Sequence, residues 1–343
     1  MRKRAREETM SMRTLYNGEV ATEDQPQLLP SFPSMSCALY RHRRKKNPAL
    51  SQTRAEVQLE GNWTETTDSR PFLLFTDCDA NKIVVFSTHD QLQALQSADT
   101  VYMDGTFTSC PDLWNQVYII HARSRSCMCP LVFALLPDRQ TTTYTRLFSR
   151  LKTEVQQRFN RPLAPATVQT DFEKAAIRAV NTEFPNADVK GCFFHYCQAI
   201  WRKTQDLGLA VQYKEDPGSE ELLDLPSCPC VMSRTPGWML SRQLHQFREL
   251  KTSMTIWSST IWSSIDDDAR FQIPLLNHHQ TAGPRTNNNL EGFHHGLNRT
   301  LHHRHPNIYR FVEVIKKIEC ADRTNTVRLW CRPTQQEASL QRD

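Results

Sequence analysis

No stretch of this 343-residue sequence offers about 18 consecutive apolar residues, so a membrane-spanning helix is not expected. The N-terminus lacks the apolar core of a secretory signal, which predicts a protein that stays inside the cell. A cysteine framework is missing as well: the 11 cysteines are odd in number and irregularly spaced, which fits reduced thiols better than a disulfide scaffold. Cys127-Met-Cys129 and Cys228-Pro-Cys230 are too tight for the usual zinc ligand pairs and stay unassigned. Neither sign of charge dominates, since 42 basic and 37 acidic residues leave a net +5, which argues only weakly for a polyanionic partner.

What is present is more local. Arg41, Arg43, Arg44, Lys45 and Lys46 form one run with His42, and Arg2, Lys3, Arg4 and Arg6 form another. Such runs suit DNA phosphate contacts or nuclear import, and they equally suit a solvated tail or helix face. The hydrophobic content of 39% is enough to bury a sizeable core in one large domain or two ordinary ones.

Along the chain, residues 1–34 mix charge, Ser and Pro without periodicity and read as a disordered leader. Residues 35–95 read as a small β-rich lead-in, with strands at Phe72 to Phe75 and Lys82 to Phe86. Three strands then follow at Val101 to Met103, Val117 to Ala122 and Pro130 to Leu136, joined closely enough for an antiparallel meander. Tyr144, Leu147, Leu151 and Val155 recur at helical spacing. Beyond them come a strand (Ala166 to Thr170), a helix (Phe172 to Glu183), a strand (Val189 to Phe194) and a helix (His195 to Leu207). This element order is that of a ribonuclease-H-like α/β fold, a mixed sheet with helices on both faces.

In that fold the first and fourth of these strands are parallel neighbours, so Asp104 and Asp171, placed directly after them, emerge side by side. A third acid lies much later. Asn residues at 287–289 can start a helix whose Leu290, Phe293, Leu297 and Leu301 mark one face, and Glu291 falls in its first turn, close to His294 and His295. Cleavage of a phosphodiester needs a nucleophile, stabilised phosphoryl oxygens and help for the leaving oxygen, and two Mg²⁺ or Mn²⁺ ions held by carboxylates can supply all three. Singly, each acid also has a plain structural reading, as a turn (Asp104), a helix cap (Asp171) or a favourable helix start (Glu291). Cys192 and His195 have the spacing of half a zinc site, but no second pair is evident; a structural role for Cys192, with His195 near the acids as a phosphate or proton contact, is the preferred reading. Seven of the 12 histidines fall between His278 and His305, alongside Arg285. That cluster suits a DNA channel or help at the metal site, and for His302, His303 and His305 equally a solvated helix surface.

At these residues the sequence resembles the transposase domain of Mutator-like elements, the MULE family. Tyr102-Met-Asp-Gly-Thr-Phe107 resembles the first-aspartate motif, Leu131 to Pro137 the third strand, and Gln169-Thr-Asp-Phe-Glu-Lys-Ala175 the second-aspartate motif. Gly191-Cys-Phe-Phe-His195 is similar to the Cys-x-x-His segment, and Pro284 to Glu291 with Phe293-His294 to the third-acid helix. The resemblance implies a DDE-type transposase in the nucleus, with a catalytic domain of residues 96–208 and 274–318, interrupted by a mainly helical or irregular insertion at 209–273 and followed by an expected disordered tail at 319–343. Asp104, Asp171 and Glu291 would be its catalytic acids and metal ligands, two Mg²⁺ or Mn²⁺ ions its cofactors, and transposon ends and target DNA its substrates, with a homo-oligomer as a further expectation. A family zinc module is not legible. Between about Leu225 and Ile265 the pattern lapses into Ser, Pro and Trp, with Thr-Ile-Trp-Ser-Ser repeated at 255–259 and 260–264, which fits either a local change of reading frame or a merely divergent insertion. The rival expectation is a domesticated or decayed descendant that binds DNA or a partner without cleaving.

Overall fold

Both faces of the central strands are apolar. In Val117-Tyr-Ile-Ile120 the first and third side chains join one buried cluster and the second and fourth the other, so the sheet must be covered on both sides. The computed structural model of the chain describes residues 1–7, 11–44, 50–77, 80–124, 127–206, 208, 210–211, 275, 288–301 and 304–330. Its strands are β1 (Leu73–Thr76), β2 (Val84–Phe86), β3 (Thr100–Thr106), β4 (Gln116–Ser124), β5 (Cys127–Leu136), β6 (Thr167–Thr170) and β7 (Asp188–Gly191). They form one mixed sheet in the order β1-β2-β5-β4-β3-β6-β7. β3, β6 and β7 run parallel, and the remaining neighbours are antiparallel.

The described helices are α1 (Arg2–Glu7), α2 (Met12–Thr22), α3 (Phe32–Arg44), α4 (His89–Gln96), α5 (Thr141–Phe159), α6 (Lys174–Glu183), α7 (Phe193–Asp206), α8 (Asn288–Leu301) and α9 (Ile308–Trp330). Thr88 and Gln91 start α4 with a capping box, and Asn160, in the left-handed region at φ 51°, ends α5. α4, α5 and α6 cover one face, where Leu95, Leu147, Phe148 and Val180 meet Val101, Met103 and Ile120. The opposite face is covered by α8 and α9, with Leu297, Leu301, Phe311 and Ile315 against Val117, Ile119, Phe133 and Leu135. Each such buried Leu or Phe contributes roughly 1.5–3 kcal/mol, which is why a helix so remote in sequence as α8 is held firmly at the sheet.

In three stretches the described elements differ from the sequence-based expectation. Residues 1–34, expected to be disordered, contain α1, α2 and the start of α3, which bury Ala5, Met12, Leu15 and Leu39 against one another, with Ser11 capping α2 through the Thr14 N–H. The lead-in at 35–95 is no separate unit, because β2 pairs with β5 and its fully buried Val84, Val85 and Phe86 extend the main sheet. The stretch expected to be a tail, 319–343, overlaps α9, which buries Glu319 and runs to Trp330. Residues 226–265, the stretch of altered pattern, lie outside the described residues. No helix among the described residues is long and apolar enough to cross a membrane.

Candidate functional site

The ladder between parallel strands β3 and β6 ends at the pair Met103–Thr170. The next residue on each strand is an acid, Asp104 and Asp171, so two carboxylates leave the same edge from backbones about 4.8 Å apart. β7 is the next parallel strand, with Gly191 paired to Thr170, and α7 starts two residues later, which brings His195 to that edge in the helix's first turn. Glu291 arrives from the other direction, in the first turn of α8. The placement of α8 follows from its buried Leu290, Leu297 and Leu301, from the Ser109 hydroxyl donating to Asn298 Oδ1, and from His305, whose N–H donates to Thr108 O at 3.1 Å.

Among the described residues, ligand atoms of Asp104, His195 and Glu291 all lie within 4.8 Å of one another. His195 Nε2 stands 3.2 Å from Glu291 Oε1. Asp171 is outside that set: its Oδ1 accepts from Thr170 Oγ1 and from the Glu173 N–H, both at 3.4 Å. Asp104 does not follow β3, as the sequence suggests, but lies within it, only 3% exposed, with Oδ1 accepting from the Gly105 N–H at 2.8 Å. Burial pushes its carboxyl well above the usual range, Asp171 and Glu291 push it further, and the Gly105 N–H offsets part of this. Asp171 is also raised, first by burial and then by Glu173, with His195 and Arg139 pulling the other way.

The neighbours divide clearly. His294 is buried, with Nδ1 3.7 Å from Asp104 Oδ2, a contact longer than a hydrogen bond. Burial, and then His195, lower its pKa to about 4, so it stands neutral beside the acid near pH 7. His295, one residue on, is exposed on the other side of α8. Cys192 is fully buried, and its N–H donates to Thr170 O at 2.8 Å, a structural position. Arg41 is exposed, whereas Arg43 donates from Nε to Ala5 O at 3.3 Å and is engaged within the α1–α3 unit. Lys45, Lys46, Arg285 and the side chain of Arg44 lie outside the described residues, as do Cys228 and Cys230.

Two groups had no separate signal in the sequence. Arg139 grips Glu173 with two hydrogen bonds of 3.0 and 2.9 Å beside Asp171, and it also lies over the exposed Phe107 ring at 4.8 Å. Glu173 sits inside the second-aspartate motif, which was the available hint. His121, in the middle of β4, is buried beneath α8 with its ring 5.1 Å from Phe293, and neither ring nitrogen has a hydrogen-bond partner among the described residues. A lone His in the run Val117 to Ala122 was the only trace of it.

Two carboxylates and an imidazole at this spacing, with like charges crowded around a buried acid, fit a divalent cation chemically. The side chain of Glu291 is 42% exposed, so the set opens to solvent on one side. No curated protein matches the chain. Residues 100–199, which run from the start of β3 into α7 and carry Asp104, Asp171 and His195, match the family model of the MULE transposase domain.

Proposed function

We propose that this chain is a metal-dependent DNA transposase of the Mutator-like type, a nuclear DDE enzyme that cuts transposon ends and joins them to target DNA as a homo-oligomer. The observation that carries the reading is the meeting of Asp104, Glu291 and His195 at the parallel edge of the sheet, next to Asp171 and within or beside the matched residues. The strand order β5-β4-β3-β6-β7, antiparallel and then parallel, supports a ribonuclease-H-like core with β1 and β2 added at its edge.

Two divalent ions, Mg²⁺ or Mn²⁺, would when bound supply an activated water or hydroxyl and neutralise charge on the phosphoryl oxygens. Asp104 offers carboxylate oxygens from a rigid strand, where its geometry is fixed by the ladder and the Gly105 N–H. Glu291 offers a carboxylate from the more open side, where DNA has access. Asp171 adds negative charge from the adjacent strand end, and its position is set by the Glu173 N–H, with Glu173 itself clamped by Arg139. Arg41 is available for phosphate contacts.

The test is cleavage by the full-length chain of duplex DNA carrying its own element's terminal sequence, with Mg²⁺ or Mn²⁺ and with a scrambled duplex as control. Divalent-dependent cleavage that disappears in Asp104→Ala and in Asp171→Ala is expected. A folded protein that binds the duplex but cuts it with neither ion would overturn the enzymatic reading in favour of a domesticated DNA-binding descendant.

A further inference from the structure

His195 comes from a segment read above as a phosphate or proton contact, yet it is the imidazole, not Asp171, that completes the set of closely spaced donors. Ligand atoms bound to one ion at about 2.0–2.2 Å lie about 3 Å apart when adjacent and about 4.4 Å apart when opposite. The 3.2 Å from His195 Nε2 to Glu291 Oε1 matches an adjacent pair, and the 4.8 Å limit on the whole set leaves only a small contraction to close on a common ion. Asp171 Oδ1, by contrast, is turned to Thr170 and the Glu173 N–H.

The backbone makes this placement rigid. His195 sits in the first turn of α7, directly after β7, and the Cys192 N–H is bonded to Thr170 O, so the helix start is tied to the strand that carries Asp171. Glu291 is fixed by the leucine face of α8. Two helix starts and one strand therefore deliver two oxygen donors and one nitrogen donor to a single point.

We propose that His195 is a direct nitrogen ligand of a divalent metal ion shared with Asp104 and Glu291, which makes the site favour Mn²⁺ over Mg²⁺. The inference rests on the metal-dependent reading above. Mg²⁺ demands hard oxygen donors and releases its waters reluctantly, whereas a transition ion such as Mn²⁺ accepts an imidazole among carboxylates more readily.

The test uses the full-length protein, stripped with EDTA and loaded with Mn²⁺ alone, and reads electron spin echo modulation from ¹⁴N. An imidazole coupling is expected in the wild type and should be lost in His195→Ala, with Mn²⁺ affinity falling at least about tenfold. His195→Asp, an all-carboxylate set, should bind Mn²⁺ without the nitrogen signal and should narrow the preference for Mn²⁺ over Mg²⁺. It also carries the comparison should the alanine variant prove unfolded by circular dichroism. Wild-type protein that binds Mn²⁺ without nitrogen coupling overturns the proposal, leaves the metal-dependent reading standing and makes His195 an ion-pair partner of Glu291. Coupling that survives in His195→Ala assigns the nitrogen to another residue and also overturns it. A folded wild type that binds no Mn²⁺ overturns both.

Discussion

Asp104→Asn should make the metal-free protein more stable while removing its response to metal. In the wild type the carboxylate is 3% exposed, its charge is opposed by burial, Asp171 and Glu291, and among the described residues the Gly105 N–H donates to it at 2.8 Å. Asparagine keeps an oxygen for that N–H and presents a neutral amide to the neutral His294, whose Nδ1 lies 3.7 Å from the present Oδ2. Relief of a poorly compensated buried charge contributes about 1–3 kcal/mol. With roughly 2–4 °C per kcal/mol for a sizeable domain, Tm in EDTA at pH 7 should rise by about 2–12 °C. Saturating Mn²⁺, at about 100 times its Kd, should stabilise the wild type by about 2.7 kcal/mol and leave the variant nearly unmoved. The assay is differential scanning fluorimetry of both proteins, in EDTA and across a Mn²⁺ titration. A variant less stable than wild type in EDTA would show that the fold satisfies the Asp104 charge without metal, and a variant stabilised by Mn²⁺ as strongly as wild type would remove Asp104 from the ligand set.

Gly191→Ala should cost about 1–3 kcal/mol and weaken Mn²⁺ binding, because the added Cβ would stand 2.4 Å from Phe172, the residue after Asp171, and 3.3 Å from Leu275 O; unchanged melting and unchanged Mn²⁺ affinity would contradict this. Arg70→Ala leaves Glu319, 3% exposed, without its 2.7 Å partner, and since Arg323 remains 3.6 Å away and Glu319 can take up a proton, the expected loss is about 2–3 kcal/mol in urea denaturation, with a loss below about 0.5 kcal/mol counting against the pairing. Asp322 is pushed up from 3.8 to about 6, first by burial and then by Glu319. A raised carboxyl pKa contributes stability that is full below the unfolded value and lost as pH rises through the folded one, so Asp322→Asn should gain about 1–2 kcal/mol at pH 7, after discounting for partial exposure, and almost nothing at pH 4. A pH-independent difference in melting between the two proteins would refute the assignment.

The element order from β3 to α7 was legible in the sequence because each segment carries its own pattern: a short continuous apolar run from Val117 to Ile120, and helical recurrence of Tyr144, Leu147, Leu151 and Val155. The same reading put Asp104 and Asp171 on parallel neighbours, though Asp104 lies inside β3 and not after it, and put Glu291 in the first turn of a helix with a leucine face. Periodicity reports which face of an element is buried, and it is silent on which remote segment covers it. That is why β1 and β2 read as a separate lead-in although they complete the sheet, and why the sparse apolar residues Met12, Leu15 and Leu39 read as part of an unstructured leader although they pack together. The composition of the site was likewise a tertiary decision. His195, Asp104 and Glu291 come from a helix start, a strand and a distant helix, and a few ångströms of packing against the sheet decide that this imidazole, and not the Asp171 carboxylate, joins the other two donors. The buried His121 beneath α8 and the Arg139–Glu173 clamp beside Asp171 belong to the same category, since burial and bidentate pairing exist only once separate elements have been brought into contact.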